Sequence, residues 1–198
     1  MRVISGTNKG LRLKAVAGRG TRPTSDKVKE ALFNIIGPYF EGGTMLDLYA
    51  GSGGVSVEAL SRGMDHAVLV EQERQAVRTI HENLQSTGLA HVCEVYRTDA
   101  KQALKAAAKQ KRTFRLIFMD PPYKKGEIVK LLGFIDAENL LEAGGQIVCE
   151  HEASLNLPET AGHLARCRTE RYGDTAITLF TQDGGDEFAK NSGRSGEF

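Results

Sequence analysis

The sequence predicts an α/β fold. We expect a doubly wound sheet, mostly parallel with a terminal antiparallel strand, and a small N-terminal β-hairpin and helix extension. Three observations carry this expectation. Between Thr44 and Cys149, short apolar runs alternate with amphipathic stretches of helical period. Runs such as Leu116-Ile117-Phe118-Met119 are apolar throughout rather than at every second residue, as in parallel strands covered on both faces. The composition of the 198 residues, 40% hydrophobic and 26% charged, is near the globular average. It supports one core and excludes collagen-like, coiled-coil or disordered chains.

Residues 1–37 are expected to form the extension. Val3-Ile4 and Leu11 to Val16 read as short strands around the turn-forming Thr7-Asn8-Lys9-Gly10. In the second strand Leu11, Leu13 and Ala15 would share one face, with Arg12 and Lys14 on the other. Gly18-Arg19-Gly20 gives a bend. Thr24, Ser25 and Asp26 are N-cap types ahead of a helix whose Val28, Leu32, Ile35 and Ile36 recur at helical spacing, and Gly37-Pro38 ends it.

Residues 38–182 are expected to form the α/β domain. Its first strand is Met45 to Tyr49, followed by Ala50-Gly51-Ser52-Gly53-Gly54 and a helix through Val57, Leu60 and Ser61. Ala67 to Glu71 is the second strand, about Arg74 to Ser86 a long helix, and Val92 to Val95 the third strand. Asp99 opens a helix rich in Ala and Lys. Leu116 to Met119 is the fourth strand, a helix spans about Glu127 to Leu141, and Gly144-Gly145 precede a strand over Gln146 to Cys149. About Leu164–Tyr172 and Thr175–Thr181 alternate as a closing antiparallel pair does. Residues 183–198, rich in Gly, Ser and charge, are expected to be disordered.

Charge is unevenly placed. Residues 1–30 hold eight basic and two acidic groups, whereas the remaining 168 hold 18 basic and 23 acidic. A basic arm on a mildly acidic body points to an anionic partner at one end, with Arg2, Lys9, Arg12, Lys14, Arg19 and Arg22 as candidate nucleic-acid contacts. Lys101, Lys105 and Lys109 follow helical spacing and read as a solvated face or a second patch. No apolar run reaches the ~18 residues of a membrane helix, and MRVISGTNKG has no signal-like apolar stretch. A soluble, cytoplasmic protein is expected. Cys93, Cys149 and Cys167 lie far apart without a Cys-x-x-Cys pair, so neither a disulfide framework nor a zinc site is expected.

Two motifs carry chemistry. The glycine turn after the first strand allows close backbone approach of a ligand at a helix N-terminus. Glu71, 18 residues after Gly53 at the end of the second strand, is placed to hold ribose hydroxyls. Ser56 stands where a dinucleotide motif wants its third glycine, and Asp47 is acidic where a pyrophosphate wants cations. An acid there suits an ammonium, such as the methionine part of S-adenosylmethionine. Asp99 reads either as an acceptor for an adenine amine or as an ordinary N-cap.

The second motif is Asp120-Pro121-Pro122-Tyr123, at the end of the fourth strand. The amine of a nucleobase is a poor nucleophile because its lone pair is delocalised into the ring. Acceptors held out of the ring plane, the Asp120 carboxylate and the Pro121 carbonyl oriented by Pro122, would pyramidalise the nitrogen and release that pair. Tyr123 would stack on the base. Neither a metal nor a thiolate nucleophile is called for.

These residues together resemble the bacterial small-subunit ribosomal RNA guanine-N2 methyltransferases of the D type. The resemblance runs from about Arg2 to Thr181, through Arg2-Val3-Ile4-Ser5-Gly6, Lys9-Gly10, Thr21 to Asp26, Lys29 to Asn34, Leu46 to Gly53, and Asp120 to Tyr123. The first and third pieces are the specific ones. Tyr49 stands where Phe is common. The resemblance implies a Rossmann-like, S-adenosylmethionine-dependent enzyme that methylates the N2 amine of a guanine in 16S rRNA. The substrate would be the small ribosomal subunit, and the enzyme a monomer without metal. It also implies cofactor roles. Glu71 would hold the ribose and Asp99, with Ala100, the adenine. Asp47, Tyr49 and the Gly51–Gly53 turn would hold the methionine end. Arg22 and Thr24 would lie near the mouth of the site.

Other readings compete. A DNA adenine-N6 methyltransferase uses the same tetrad, but the gap from Tyr123 to the next strand leaves no room for a target-recognition region. A protein glutamine methylase usually has Asn first in the tetrad. A non-catalytic RNA-binding assembly factor would not need both motifs intact.

Overall fold

The computed structural model describes residues 1–16, 26–122 and 126–182. Arg19, Arg22, Thr24, Tyr123 and the tail after residue 182 lie outside the described residues. The first element is helix α1 (Asp26–Ile36). Strand β1 (Thr44–Asp47) leads to α2 (Gly54–Ser61), β2 (His66–Val70) and α3 (Arg74–Thr87). Then come β3 (Cys93–Tyr96), α4 (Ala100–Lys109), β4 (Phe114–Met119) and α5 (Glu127–Ala137). Strands β5 (Leu141–Glu152), β6 (Thr160–Ala161), β7 (Leu164–Tyr172) and β8 (Thr175–Thr181) complete the sheet. The order is β3-β2-β1-β4-β5-β8-β7-β6. Strands β1 to β5 pair in parallel, and β8, β7 and β6 add on antiparallel. This is the doubly wound, mostly parallel sheet expected from the alternation of elements.

Each face of the sheet carries its own core. On one face Leu46, Leu48, Ile117 and Met119 pack against Leu104 of α4 and Leu131, Leu132 and Ile135 of α5. On the other, Met45, Leu69 and Phe118 pack against Val57 of α2, Ile80 and Leu84 of α3, and Leu32, Phe33 and Ile36 of α1. Val3 and Leu13 belong to this second core. The N-terminal segment is therefore packed on the domain rather than hung from it.

The extension differs in detail from its expected form. The two strands reduce to one antiparallel bridge, Arg2 with Arg12, extended by hydrogen bonds from Val3 to Leu11 and from Leu13 to Met1. Only Leu13 of the expected apolar face is buried, while Leu11 and Ala15 are exposed. Beyond Leu13 the chain bonds to the side chain of Asn83 instead of a partner strand, which ends the alternation. At the tip, a Cβ on Gly6 would stand 1.7 Å from the Ser61 carbonyl oxygen, and φ there is +82°, so only glycine lets the turn lie this close to α2.

Two boundaries also move. Asn139 takes a left-handed φ of 52° and closes α5 at Ala137, so Leu141, expected in the helix, opens β5 and pairs with Phe114. Gly144 and Gly145 then lie inside β5, where the register with β4 shifts, rather than ahead of it. Among the described residues, no helix is long and apolar enough to cross a membrane.

Candidate active site

Parallel pairing carries the C-terminal ends of β1, β2 and β4 to one edge of the sheet, the edge where open α/β folds bind ligands. The turn after β1 is tight: the Gly53 amide donates to the Ala50 carbonyl at 2.7 Å. Gly53 has φ +78°, and its Cβ would meet Leu69 at 3.3 Å and Ile80 at 3.6 Å. Its smallness lets α2 start close to the sheet. Gly51 also has positive φ, but a Cβ there would enter open space, so the strand-side half of the turn has room for a ligand.

Acidic side chains organise this turn. Glu71, almost buried, accepts from the amides of Gly51 at 3.0 Å and Glu73 at 2.9 Å. Each carboxylate oxygen keeps a second lone pair, so hydroxyl donors can still be accepted. Asp47 is 1% exposed. Its Oδ2 accepts from the Ser56 hydroxyl at 2.7 Å, and Oδ1 is buried with no partner of hydrogen-bond geometry. Burial pushes its pKa up to about 7 against the pull of Ser56 and the Tyr49 amide, and the charges of Glu71 and Asp120 add to the rise. A buried acceptor without a donor beside a glycine turn fits the ammonium group of S-adenosylmethionine.

Asp99 caps α4, accepting from the Gln102 amide at 2.9 Å. The N-cap role is therefore realised, and its second oxygen is left for another donor. Ala100 is buried behind it. The half-buried Tyr49 donates from its hydroxyl to Glu127 at 3.0 Å, tying the end of β1 to the first residue of α5. Burial and the Glu127 charge hold its phenol above the ordinary range.

Asp120 follows β4 directly, with Pro121 buried and Pro122 exposed. The Asp120 carboxyl is open to solvent on one side of the cleft yet crowded by protein on the others, and that partial burial pushes its pKa up to about 6. Its charge is felt at Asp47. The structure therefore brings Asp47, Gly51, Gly53, Glu71 and Asp120 to one edge. Tyr123 is outside the described residues.

Sequence reasoning missed Asn83. Its side chain, 1% exposed, accepts from the Lys14 amide at 2.8 Å and donates to the carbonyls of Lys14 at 3.0 Å and Ser52 at 2.8 Å. It fastens the basic arm to the glycine turn. The available signal was a polar residue on the buried stripe of α3, beside Ile80 and Leu84.

Arg2, Lys9, Arg12 and Lys14 are all exposed, but they are not equally placed. Lys14 stands beside the turn and reaches Glu82 at 2.9 Å. Lys9 is at the hairpin tip, which is bonded through Thr7 to Ser61 and through Asn8 to Thr87, at the C-terminal ends of α2 and α3. Those ends lie at the opposite edge of the sheet from Asp120.

The fold is the Rossmann-like one of S-adenosylmethionine-dependent methyltransferases. Residues 1–181 match the model of the family described as conserved hypothetical protein 95, and the chain belongs to that family. It is 52% identical over 184 residues to the putative rRNA methyltransferase YlbH of Bacillus subtilis, covering 93% of this chain and all of that one. It is 30% identical to the ribosomal RNA small subunit methyltransferase D of Escherichia coli over 92% of this chain and 90% of that one. Among solved structures, a putative methyltransferase from Escherichia coli superposes with a TM-score of 0.76 at 29% identity, covering 91% of this chain and 96% of that one.

Proposed function

We propose that the protein transfers a methyl group from S-adenosylmethionine to the N2 amine of a guanine in the 16S RNA of the small ribosomal subunit. The observation that carries this reading is Asp120-Pro121-Pro122 at the end of β4, on the same edge as the turn held by Glu71 and Asp47. The names of both relatives support ribosomal RNA as the substrate, and that of the Escherichia coli protein supports the small subunit.

When bound, the sulfonium cofactor supplies an electrophilic methyl group. Asp47, whose Oδ1 lacks a partner, would hold its ammonium, and Glu71 would hold its ribose hydroxyls. Asp99 and Ala100 would line the adenine side, while Tyr49 and the Gly51–Gly53 backbone would enclose the methionine end. The Asp120 carboxylate accepts one N–H of the guanine amine and the Pro121 carbonyl accepts the other. Holding both hydrogens out of the ring plane frees the nitrogen lone pair, which would form the N–CH3 bond as the S–CH3 bond breaks and a neutral thioether leaves. The charge of Asp120 stabilises the positive charge that develops on the nitrogen, and the methylated amine then loses its proton to water. Tyr123 is given the stacking role on its sequence position. Exposed Arg2, Arg12 and Lys14, with Arg19 and Arg22, bind phosphates on one flank. The protein acts as a cytoplasmic monomer and needs no metal.

The test is incubation with labelled S-adenosylmethionine and purified small subunits, 16S rRNA or DNA, with mass spectrometry to locate the methyl. Label on a guanine N2 of the small-subunit RNA is expected. Label on DNA adenine, or on no nucleic acid, refutes the reading.

A further inference from the structure

On the flank opposite the arm, β5, β7, β8 and residues 155–157 line a half-open hollow of about 400 Å³. Arg166, Arg168 and Arg171 line it, with His151, Asn156 and Thr169, and no acidic side chain is among its lining residues. The floor is satisfied internally. His151 is buried and contacts the Glu152 carbonyl through Nδ1 at 2.8 Å. That nitrogen must donate, so Nε2 accepts from the Thr178 hydroxyl at 2.8 Å. Thr178 accepts in turn from Thr169 at 3.0 Å. Burial and the charge of Arg171 hold the imidazole below its usual pKa, so the floor is neutral and the positive charge belongs to the arginines.

The arginines are unequally engaged. Arg166 serves the wall, donating to the Leu157 carbonyl at 2.9 Å with Glu159 at 3.6 Å. Arg168 meets Glu170 at 2.9 Å through Nε. Arg171 has a long 3.5 Å bond from Nε to the Ala153 carbonyl, and its terminal N–H groups have no hydrogen bond among the described residues. A guanidinium with free donors in an acid-free concavity suits an anion with several acceptor oxygens, above all a phosphate.

Register places this pocket relative to the active site. Arg171 pairs with Ala176, and Ala176 with His151. Met119 pairs with Cys149, so His151 stands level with Pro121. At ~4.8 Å per strand, Arg171 lies three strand spacings, about 14 Å, from Pro121 along the same sheet edge. Lys14 and the glycine turn are on the other side.

We propose that this pocket binds a phosphate of the RNA backbone beside the target nucleotide, so that the strand is held on both flanks of the site. This rests on the RNA reading above. The test uses the full chain and 16S rRNA in filter binding across a salt series, with the double variant Arg168→Ala/Arg171→Ala. A second variant, Asn156→Asp, adds a negative charge at an exposed rim position. The double variant should bind RNA about tenfold more weakly, and its slope of log affinity against log salt should be shallower by ~0.7 per lost phosphate contact. Asn156→Asp should weaken RNA binding likewise, with cofactor affinity and melting temperature of both variants unchanged. Wild-type affinity and salt slope in both variants would overturn the pocket and leave the RNA reading standing. Failure of the wild type itself to bind or methylate the RNA would overturn the RNA reading, and the pocket with it. A calorimetric titration with inorganic phosphate separates the two sources of the anion. Tight phosphate binding that RNA does not displace marks a free-anion site and overturns the proposal.

Discussion

Asp47→Asn separates what the site costs the fold from what it gives the cofactor. The carboxyl is buried with the Ser56 hydroxyl on Oδ2 and no partner of hydrogen-bond geometry on Oδ1, although the Tyr49 amide lies near enough to draw the pKa down, and that pKa stands near 7 instead of 3.8. The folded value lies above the unfolded one, so the native state keeps a proton that the unfolded chain releases. Stability therefore falls as pH rises from about 4 to about 7. At about 1.4 kcal/mol per pKa unit the full penalty is bounded at about 4 kcal/mol, and local relaxation leaves about 2 kcal/mol. Asparagine keeps the shape and the Ser56 contact and removes the ionisation. At pH 8 the unliganded variant should melt roughly 4–8 °C above the wild type, and the difference should vanish below pH 4. On the proposed cofactor role the same change would remove a charged hydrogen bond to the ammonium, worth about 1.5–3 kcal/mol, so affinity for S-adenosylmethionine should drop at least ~10-fold. Scanning calorimetry over pH 4–8 and isothermal titration measure both. A variant no more stable at pH 8, or one that binds the cofactor as the wild type does, would refute the reasoning.

Three further outcomes follow from the geometry. With the Asp120 pKa near 6, kcat at saturating cofactor should be half-maximal at about pH 6 and level above about pH 7. Asp120→Asn should lower it at least ~100-fold while leaving cofactor affinity intact; a flat profile in the wild type would contradict the role. Asn83→Leu strands the Lys14 amide and the Lys14 and Ser52 carbonyls. It should cost about 2–4 kcal/mol in urea unfolding and raise the cofactor KM, and an unchanged KM would remove Asn83 from the site. Arg12→Ala/Lys14→Ala should flatten the salt dependence of RNA binding, whereas Lys9→Ala, at the far edge, should leave it within ~2-fold of wild type in the same filter assay; equal losses would mean that the RNA reaches the hairpin tip.

Much of the fold was legible because it rests on local pattern. Leu164–Tyr172 and Thr175–Thr181 are the bounds of β7 and β8, and the strand after Thr44 and the helix from Arg74 lie where their periodicity put them. What local pattern does not carry is who pairs with whom across distance. Asn139 closes α5 by a left-handed turn that no glycine advertises. Ser56, read only as a missing glycine, proves to be the donor for Asp47, nine residues away in sequence. The positions of the glycine turn and of Asp120 at a strand end were readable because both follow apolar runs and carry local turn signals. Asn83 was not, because its partners at positions 14 and 52 come from two other segments.

Charge counting misled in one instructive respect. Lys29 was counted with the basic arm, yet it is fully buried, its ammonium bonded to the Arg2 carbonyl and 3.3 Å from Glu58. Glu58, equally buried, also accepts from the amides of Ile4 and Ser5 and from Arg62. An exposed lysine would add to the field that draws an anion; this one is spent on neutralising Glu58, whose remaining lone pairs hold the arm's backbone. Buried ion pairs add little net stability but are costly to break. Here the pair ties the start of the chain to α1 and α2 together, while Asn83 ties position 14 to the glycine turn. With both ends of the hairpin fastened, exposed Arg12 and Lys14 project from a rigid platform at a set distance from the cofactor turn. On the proposed RNA-binding role, an arm fastened in this way would hold phosphates with less loss of chain entropy than a free tail would incur.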